Sequence, residues 1–376
     1  MTAAQPEEIA IPDELLPADG RFGSGPSKVR PESLAALAAT GATYLGTSHR
    51  QPTVKSVVAR IRGGLRELFA LPDGYAVVLG NGGSTAFWDV ATFALIERRS
   101  QHVVCGEFSA KFAAAVRAAP FLDDPDLVSA EPGTRADAVA DAAVDAYALT
   151  HNETSTGVVM PVQRPGAPDT ALVLVDATSA AGAIEVAAAD YDAYYFAPQK
   201  VFASDGGVWL ALCSPAALDR ARRLTDERWV PPSLDLTIAA DNSELDQTYN
   251  TPALATLFLF ADQLEWLLDR GGLAWSSQRC RESAAVLYGW ADASPYAEPF
   301  VKDPDARSPV VGTVDFDPAV DANVLSRVLR ANGIVDTESY RKLGRNQLRI
   351  GMYPAVDPAD VGALTACIDY VATRLH

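Results

Sequence analysis

The sequence predicts an α/β fold, with a large domain on a mainly parallel sheet and a smaller α+β domain at the C-terminus. Up to about residue 225 the strand-like segments are continuous apolar runs, the pattern of strands buried on both faces. Stretches with helical spacing alternate with them, as in parallel strands joined by crossover helices. Beyond about residue 300 the strand-like segments alternate apolar with polar residues, as half-buried strands do.

Taken in order, residues 1–20 are acidic and contain prolines, with neither a basic start nor a long apolar core. They read as an N-terminal arm, loosely ordered or strapped across a partner, and not as a signal peptide or membrane span. Thr53 to Leu71 places Val54, Val57, Val58, Ile61, Leu65 and Leu68 on one helical face. Tyr75–Leu79 is a strand, and Gly80–Ser84 turns into an apolar helix that runs through Ile96. Gln101–Cys105 (strand), Ser109–Ala118 (helix) and Tyr147–Thr150 (strand) follow. Val173–Asp176, Tyr194–Ala197 and Val208–Leu212 read as further strands. Thr251–Arg270 is an apolar helix interrupted by Gly271-Gly272, and a second helical run reaches about Trp290. Val311–Phe316 and Leu348–Met352 are the alternating strands, flanked by helices at about 319–331 and 358–374. We divide the chain into the arm (1–20), a large domain (21–265) and a small domain (266–376).

Bulk properties narrow the function. A formal charge of −17 argues against a general nucleic-acid or anionic-membrane surface, while leaving room for a local basic pocket. Four cysteines, widely spaced and without a CxxC pair, give no disulfide framework or zinc site and suit a reducing cytoplasm. Four scattered histidines form no metal motif, so no metal is expected.

The chemistry centres on Lys200. Only six lysines occur in the chain, and this one follows the apolar run Tyr194–Pro198 and precedes Gly206-Gly207. An exposed lysine is the ordinary case, but a lysine after such a run is positioned for burial. Its amine can condense with an aldehyde. Asp176, at the end of a strand of its own, is either a helix N-cap or a buried carboxylate able to pair with a pyridinium. Those are the two protein groups that pyridoxal phosphate most needs. Ligands in open parallel sheets bind at the carboxyl ends of strands, where the other candidates also fall. Gly83, Ser84 and Thr85 lie between a strand and a helix, where amides and hydroxyls can cradle a phosphate; alone, the segment is equally a turn. GxGxxG is absent, so a dinucleotide site is not supported. Phe108 is a core ring or one that stacks on a cofactor. Thr154 offers a hydroxyl for a phenolate oxygen.

Further residues carry a resemblance. Phe22–Pro26, Ser48-His49-Arg50, His151–Thr154 with Gly157, Asp176-x-Thr178-Ser179, Gln199-Lys200, Tyr249–Pro252 and Leu348-Arg349-Ile350 occur in one order, from about residue 21 onward. Together they resemble the phosphoserine aminotransferases, class V enzymes of the aspartate-aminotransferase fold (fold type I of the pyridoxal-phosphate enzymes). The resemblance implies a homodimer with shared active sites. Lys200 would be the catalytic lysine that carries pyridoxal 5'-phosphate, with Asp176 at the pyridine nitrogen, Thr154 at the phenolate and Phe108 on the ring. Gly83, Ser84, Thr178 and Gln199 would hold the phosphate, joined by Asn250 and Thr251 of the second subunit. Arg349 would bind the substrate α-carboxylate. His49 and Arg50, also from the second subunit, would meet the distal phosphate of phosphoserine or the γ-carboxylate of glutamate. The implied reaction passes the amino group of glutamate to 3-phosphohydroxypyruvate, in serine biosynthesis and, for some members, pyridoxine biosynthesis.

The chain departs from the family at two places. Phe108 stands where tryptophan is common, and Arg341-Lys342 stands where a His-Arg pair is usual, with Arg345 close by in sequence. Rival readings are a cysteine desulfurase, an alanine–glyoxylate aminotransferase, or a non-catalytic protein on this fold. Gln199 before the lysine and Cys280 inside a helical pattern disfavour the first. The second has no need of His49-Arg50. Lys200, Asp176 and Arg349 together, with no basic helix appended, disfavour the third.

Overall fold

A computed structural model describes residues 9–166 and 170–375. The chain opens with α1 (Pro31–Ala39), α2 (Pro52–Leu68), β1 (Ala76–Asn81), α3 (Ser84–Ala94), β2 (Ser100–Val104), α4 (Glu107–Arg117) and β3 (Asp126–Ser129). It continues with β4 (Ala146–Thr150), β5 (Asn152–Glu153), β6 (Val158–Val159), β7 (Leu172–Asp176), β8 (Ala193–Phe196) and β9 (Val208–Cys213). Then come α5 (Pro215–Glu227), α6 (Leu236–Glu244), α7 (Leu254–Leu268) and α8 (Gly272–Ala293). The last elements are β10 (Ala297–Pro299), β11 (Val311–Phe316), α9 (Ala322–Ala331), β12 (Gln347–Gly351) and α10 (Pro358–Leu375).

A seven-stranded sheet in the order β1-β9-β8-β7-β4-β2-β3 forms the large domain. Every neighbouring pair is parallel except those of β9, which runs against both β1 and β8. The continuous apolar runs follow from cover on both faces. In β7, Val173 and Val175 enter one core while Leu172 and Leu174 enter the other. Tyr194 and Phe196 of β8 likewise face away from Ala193 and Tyr195. The first core is closed by α2 and α7, the second by α3, α4, α5 and α6. Because β9 is reversed, β1, β2, β4, β7 and β8 all end at one edge, where the candidate residues collect.

The small domain is an antiparallel sheet, β10-β11-β12, packed on α8, α9 and α10. Ile9, Ile11 and Phe22 lie in its core, and Arg21 bridges to Val335. Residues 9–20 therefore pack with the C-terminal elements, held by burial of two isoleucines; residues 1–8 of the expected arm lie outside the described residues. No described helix is long and apolar enough to cross a membrane.

Candidate active site

At the common strand edge lies a cavity of about 400 Å³. Of the residues proposed from sequence, Gly83, Ser84, Thr85, Phe108, Thr154, Asp176, Thr178, Gln199 and Lys200 all line it. Each reaches it for a local reason. β1 ends at Asn81, and Gly82 takes φ +108°, a turn that sets Gly83 as N-cap and Ser84 as first residue of α3. The amides at the start of α3 thus open into the cavity, and a Cβ on Gly83 would meet open space. Phe108 is the second residue of α4, entered directly from the end of β2.

Lys200 follows β8 by a short loop and is buried. Its Nζ donates to the Ser24 carbonyl at 2.7 Å. Burial, helped by the Arg349 charge, pulls its pKa down to about 7, against the opposing pull of Asp176 and Glu153. Near neutrality a good fraction of this amine is unprotonated and nucleophilic. Asp176 ends β7, also buried. Its Oδ1 accepts from Thr178 N (3.0 Å) and Thr178 Oγ1 (2.6 Å), and its Oδ2 from Trp88 Nε1 (3.1 Å). Burial raises its pKa and these hydrogen bonds oppose the rise. Thr178 Oγ1 also lies 2.7 Å from Ser84 Oγ, so it joins the α3 end of the cavity to the carboxylate.

Thr154 and Asn152 are held by one hydroxyl, Ser179 Oγ, at 2.9 and 2.8 Å. Between them Glu153 is wholly buried. Its carboxylate accepts from the amides of Phe108, Ser109 and Ser155 and from the hydroxyls of Ser109 and Ser155. It so ties the phenyl ring's helix to the Thr154 loop. Arg349, on β12 of the small domain, reaches across to donate from Nη1 to the Thr154 carbonyl at 3.3 Å. Its Nε is buried without a partner, and burial lowers its pKa.

The remaining candidates lie apart. His49 Nδ1 sits 3.3 Å from Thr251 Oγ1, and Asn81 bonds to both Asn250 and Thr251. These residues and exposed Arg50 form a surface cluster beside the end of β1, outside the lining of the cavity. Lys342 makes an ion pair with Glu107, which Lys111 also approaches at 3.3 Å. Arg345 is committed elsewhere, forked onto Asp315 and lying over Phe300. Tyr340, one residue before Arg341, sits 6.0 Å from Phe108 and 5.3 Å from the Arg349 guanidinium.

Pyridoxal phosphate fits this donor set. The cavity brings a buried amine and a buried carboxylate together with a helix N-terminus rich in small residues. Gln199 Oε1 and Asn152 Oδ1 are buried there without partners, free acceptors for the polar edge of a ring or its hydroxyl substituents. Sequence reasoning missed Trp88 and Glu153. Trp88 lies four residues after Ser84, which puts it on the same face of α3, a signal legible once Ser84 is taken as a site residue.

Comparison with known proteins agrees. The family model described as aminotransferase class-V matches residues 22–364. The chain is 60% identical to the phosphoserine aminotransferase of Nocardioides sp., over 98% of this chain and all of that one. The solved phosphoserine aminotransferase from Bacillus circulans subsp. alkalophilus superposes with a TM-score of 0.83 at 20% identity, covering 94% of this chain and 98% of that one. The pyridoxal-phosphate-bound phosphoserine aminotransferase of Trichomonas vaginalis gives 0.76 at 19% identity, covering 93% and 99%. At such identities the two solved structures speak for the fold alone.

Proposed function

The chain belongs to the class-V aminotransferase family, and from that premise we propose that it is a phosphoserine aminotransferase using pyridoxal phosphate. It moves the amino group of glutamate to 3-phosphohydroxypyruvate and yields O-phosphoserine and 2-oxoglutarate. One observation carries the reading: a buried amine, Lys200, shares a cavity with a buried carboxylate, Asp176, beside the N-terminus of α3.

Bound, the cofactor supplies an aldehyde that condenses with amines and a pyridine ring that draws off the electron pair left when a substrate Cα–H proton departs. The protein's own residues do the rest. Asp176 offers negative charge to the pyridine nitrogen. Gly83, Ser84, Thr85, Thr178 and Gln199 bind the phosphate, and Thr154 the phenolate oxygen. Phe108 covers one face of the ring and excludes water. Lys200 Nζ, with its pKa near 7, would take the proton from the substrate Cα and deliver it across the intervening nitrogen to the carbon that the aldehyde supplies. Arg349 holds the α-carboxylate, its Nε being buried without a partner in the protein.

The active sites are shared in a homodimer. His49, Arg50, Asn250 and Thr251 serve the partner's cavity, a reading supported by their position on a surface outside their own. Arg341 and Lys342 add positive charge at the mouth for dianionic substrates. Four free, buried cysteines support a reducing, cytoplasmic setting. Serine biosynthesis is the role, and amination of a longer phosphorylated acid in pyridoxine biosynthesis would use the same anion contacts.

Steady-state transamination tests the substrate: phosphoserine should be used far better than serine, aspartate or alanine, and equal use of alanine would overturn it. Borohydride reduction and peptide mapping test the site. Label on Lys200 is expected, and label on another lysine would overturn the assignment.

A further inference from the structure

We propose that Trp88 is a positioning residue for the cofactor, its indole N–H holding Asp176 Oδ2 so that the carboxylate meets the pyridine nitrogen ionised and in one fixed rotation. The inference rests on the reading of the site given above and concerns a residue outside the proposed binding set.

An ionised carboxylate has about four acceptor positions. Thr178 N and Oγ1 take two on Oδ1, and Trp88 Nε1 takes one on Oδ2. One position remains, on Oδ2, and Asp176 lines the cavity. The choice of donor matters. An arginine or lysine at this place would cancel the charge that a protonated pyridine nitrogen needs. An indole N–H is a donor only and uncharged, so it stabilises the carboxylate without neutralising it. The donor is itself held firmly: Trp88 is buried, lies stacked against Phe112 of α4 (6.1 Å, 17°), and rides on α3. That helix also carries Ser84, which grips Oδ1 indirectly through Thr178. One rigid helix therefore sets both the phosphate end and the pyridine end of the cavity, and fixes the distance between them. The Tyr195 hydroxyl approaches both Trp88 and Asp176 from the core beneath, but only the indole meets the carboxylate Oδ2 in hydrogen-bond geometry.

The test compares wild type, Trp88→Phe and a variant with 3-benzothienylalanine at position 88, which replaces the N–H by sulfur within the same double ring. Each is reconstituted with pyridoxal phosphate labelled with ¹⁵N in its ring. The dissociation constant and the ring-nitrogen chemical shift are then read. Both variants should bind the cofactor roughly tenfold more weakly. In both, the ¹⁵N signal should move from the pyridinium toward the neutral-pyridine position. Weaker binding with an unmoved ¹⁵N signal would reduce Trp88 to packing and overturn the proposal, as would unchanged binding. The benzothienyl variant decides the matter if Trp88→Phe does not fold. Wild type that binds no pyridoxal phosphate would instead overturn the functional reading on which the proposal stands.

Discussion

Lys200 lies directly against Gly25: a Cβ built on Gly25 would overlap the lysine's Cε and Nζ. The amine donates to the carbonyl of Ser24, the residue just before it, and Ser27 Oγ donates back to the Lys200 carbonyl. The Phe22–Pro26 segment, far from Lys200 in sequence, is thus the floor on which the buried amine rests.

Gly25→Ala should therefore be severe. Gly25 has φ +144°, where an L-residue is strained at a cost of about 1–3 kcal/mol, and the new methyl would push Lys200 aside. The variant should lose most cofactor absorbance after reconstitution and unfold at lower temperature. Full retention of cofactor would show that the lysine does not need this floor.

The lysine's pKa has two consequences. In the cofactor-free protein only the neutral amine attacks an aldehyde, so the rate of covalent capture should rise with pH and level off above about 7. A rise continuing to pH 10 would mean an unshifted amine. For stability the sign runs the other way from a salt-bridged lysine. An unfolded chain binds the proton below about 10.5, while the folded one refuses it until about 7. Lys200→Met should thus be more stable than the cofactor-free wild type at pH 7, by an amount that shrinks as pH rises toward 10. Denaturant unfolding at several pH values measures the difference.

Shared sites can be tested by complementation. Lys200→Ala and Arg50→Ala homodimers should each be nearly inactive toward phosphoserine. Co-refolded mixtures should recover activity, since a heterodimer has one site with an intact lysine and an intact arginine from opposite chains. No recovery would return Arg50 to its own cavity or to none.

Arg349→Lys keeps the charge and removes the fork. The lost second hydrogen bond to a carboxylate is worth about 1.5–3 kcal/mol, so kcat/KM should fall roughly 10- to 100-fold for both glutamate and phosphoserine. A loss confined to the phosphorylated substrate would assign Arg349 to the distal anion.

Lys342 and Arg345 owe their partners to the fold. The sequence offers a basic cluster, Arg341, Lys342 and Arg345, and no means to choose among them. In the fold Arg345 turns to Asp315, while Lys342 reaches Glu107 on α4, which holds the Glu107 carboxyl below its usual range. Those choices come from residues more than 25 positions away and are invisible to local pattern.

The sequence by itself determined the layered architecture, because apolar runs bounded by helical spacing report burial on two faces wherever they sit. It also determined the candidate lysine and carboxylate, since Asp176 ends a strand, Lys200 closely follows one, and strand ends of a parallel sheet converge. Tertiary structure alone decided three other things. The reversal of β9 has no signature in an apolar run, which reads the same in either direction. The packing of residues 9–20 on the small domain depends on two isoleucines meeting a core built from the other end of the chain. The grip of Trp88 and Thr178 on Asp176 depends on hydrogen bonds whose partners are set by helix placement to fractions of an ångström, and residue order carries no such distance.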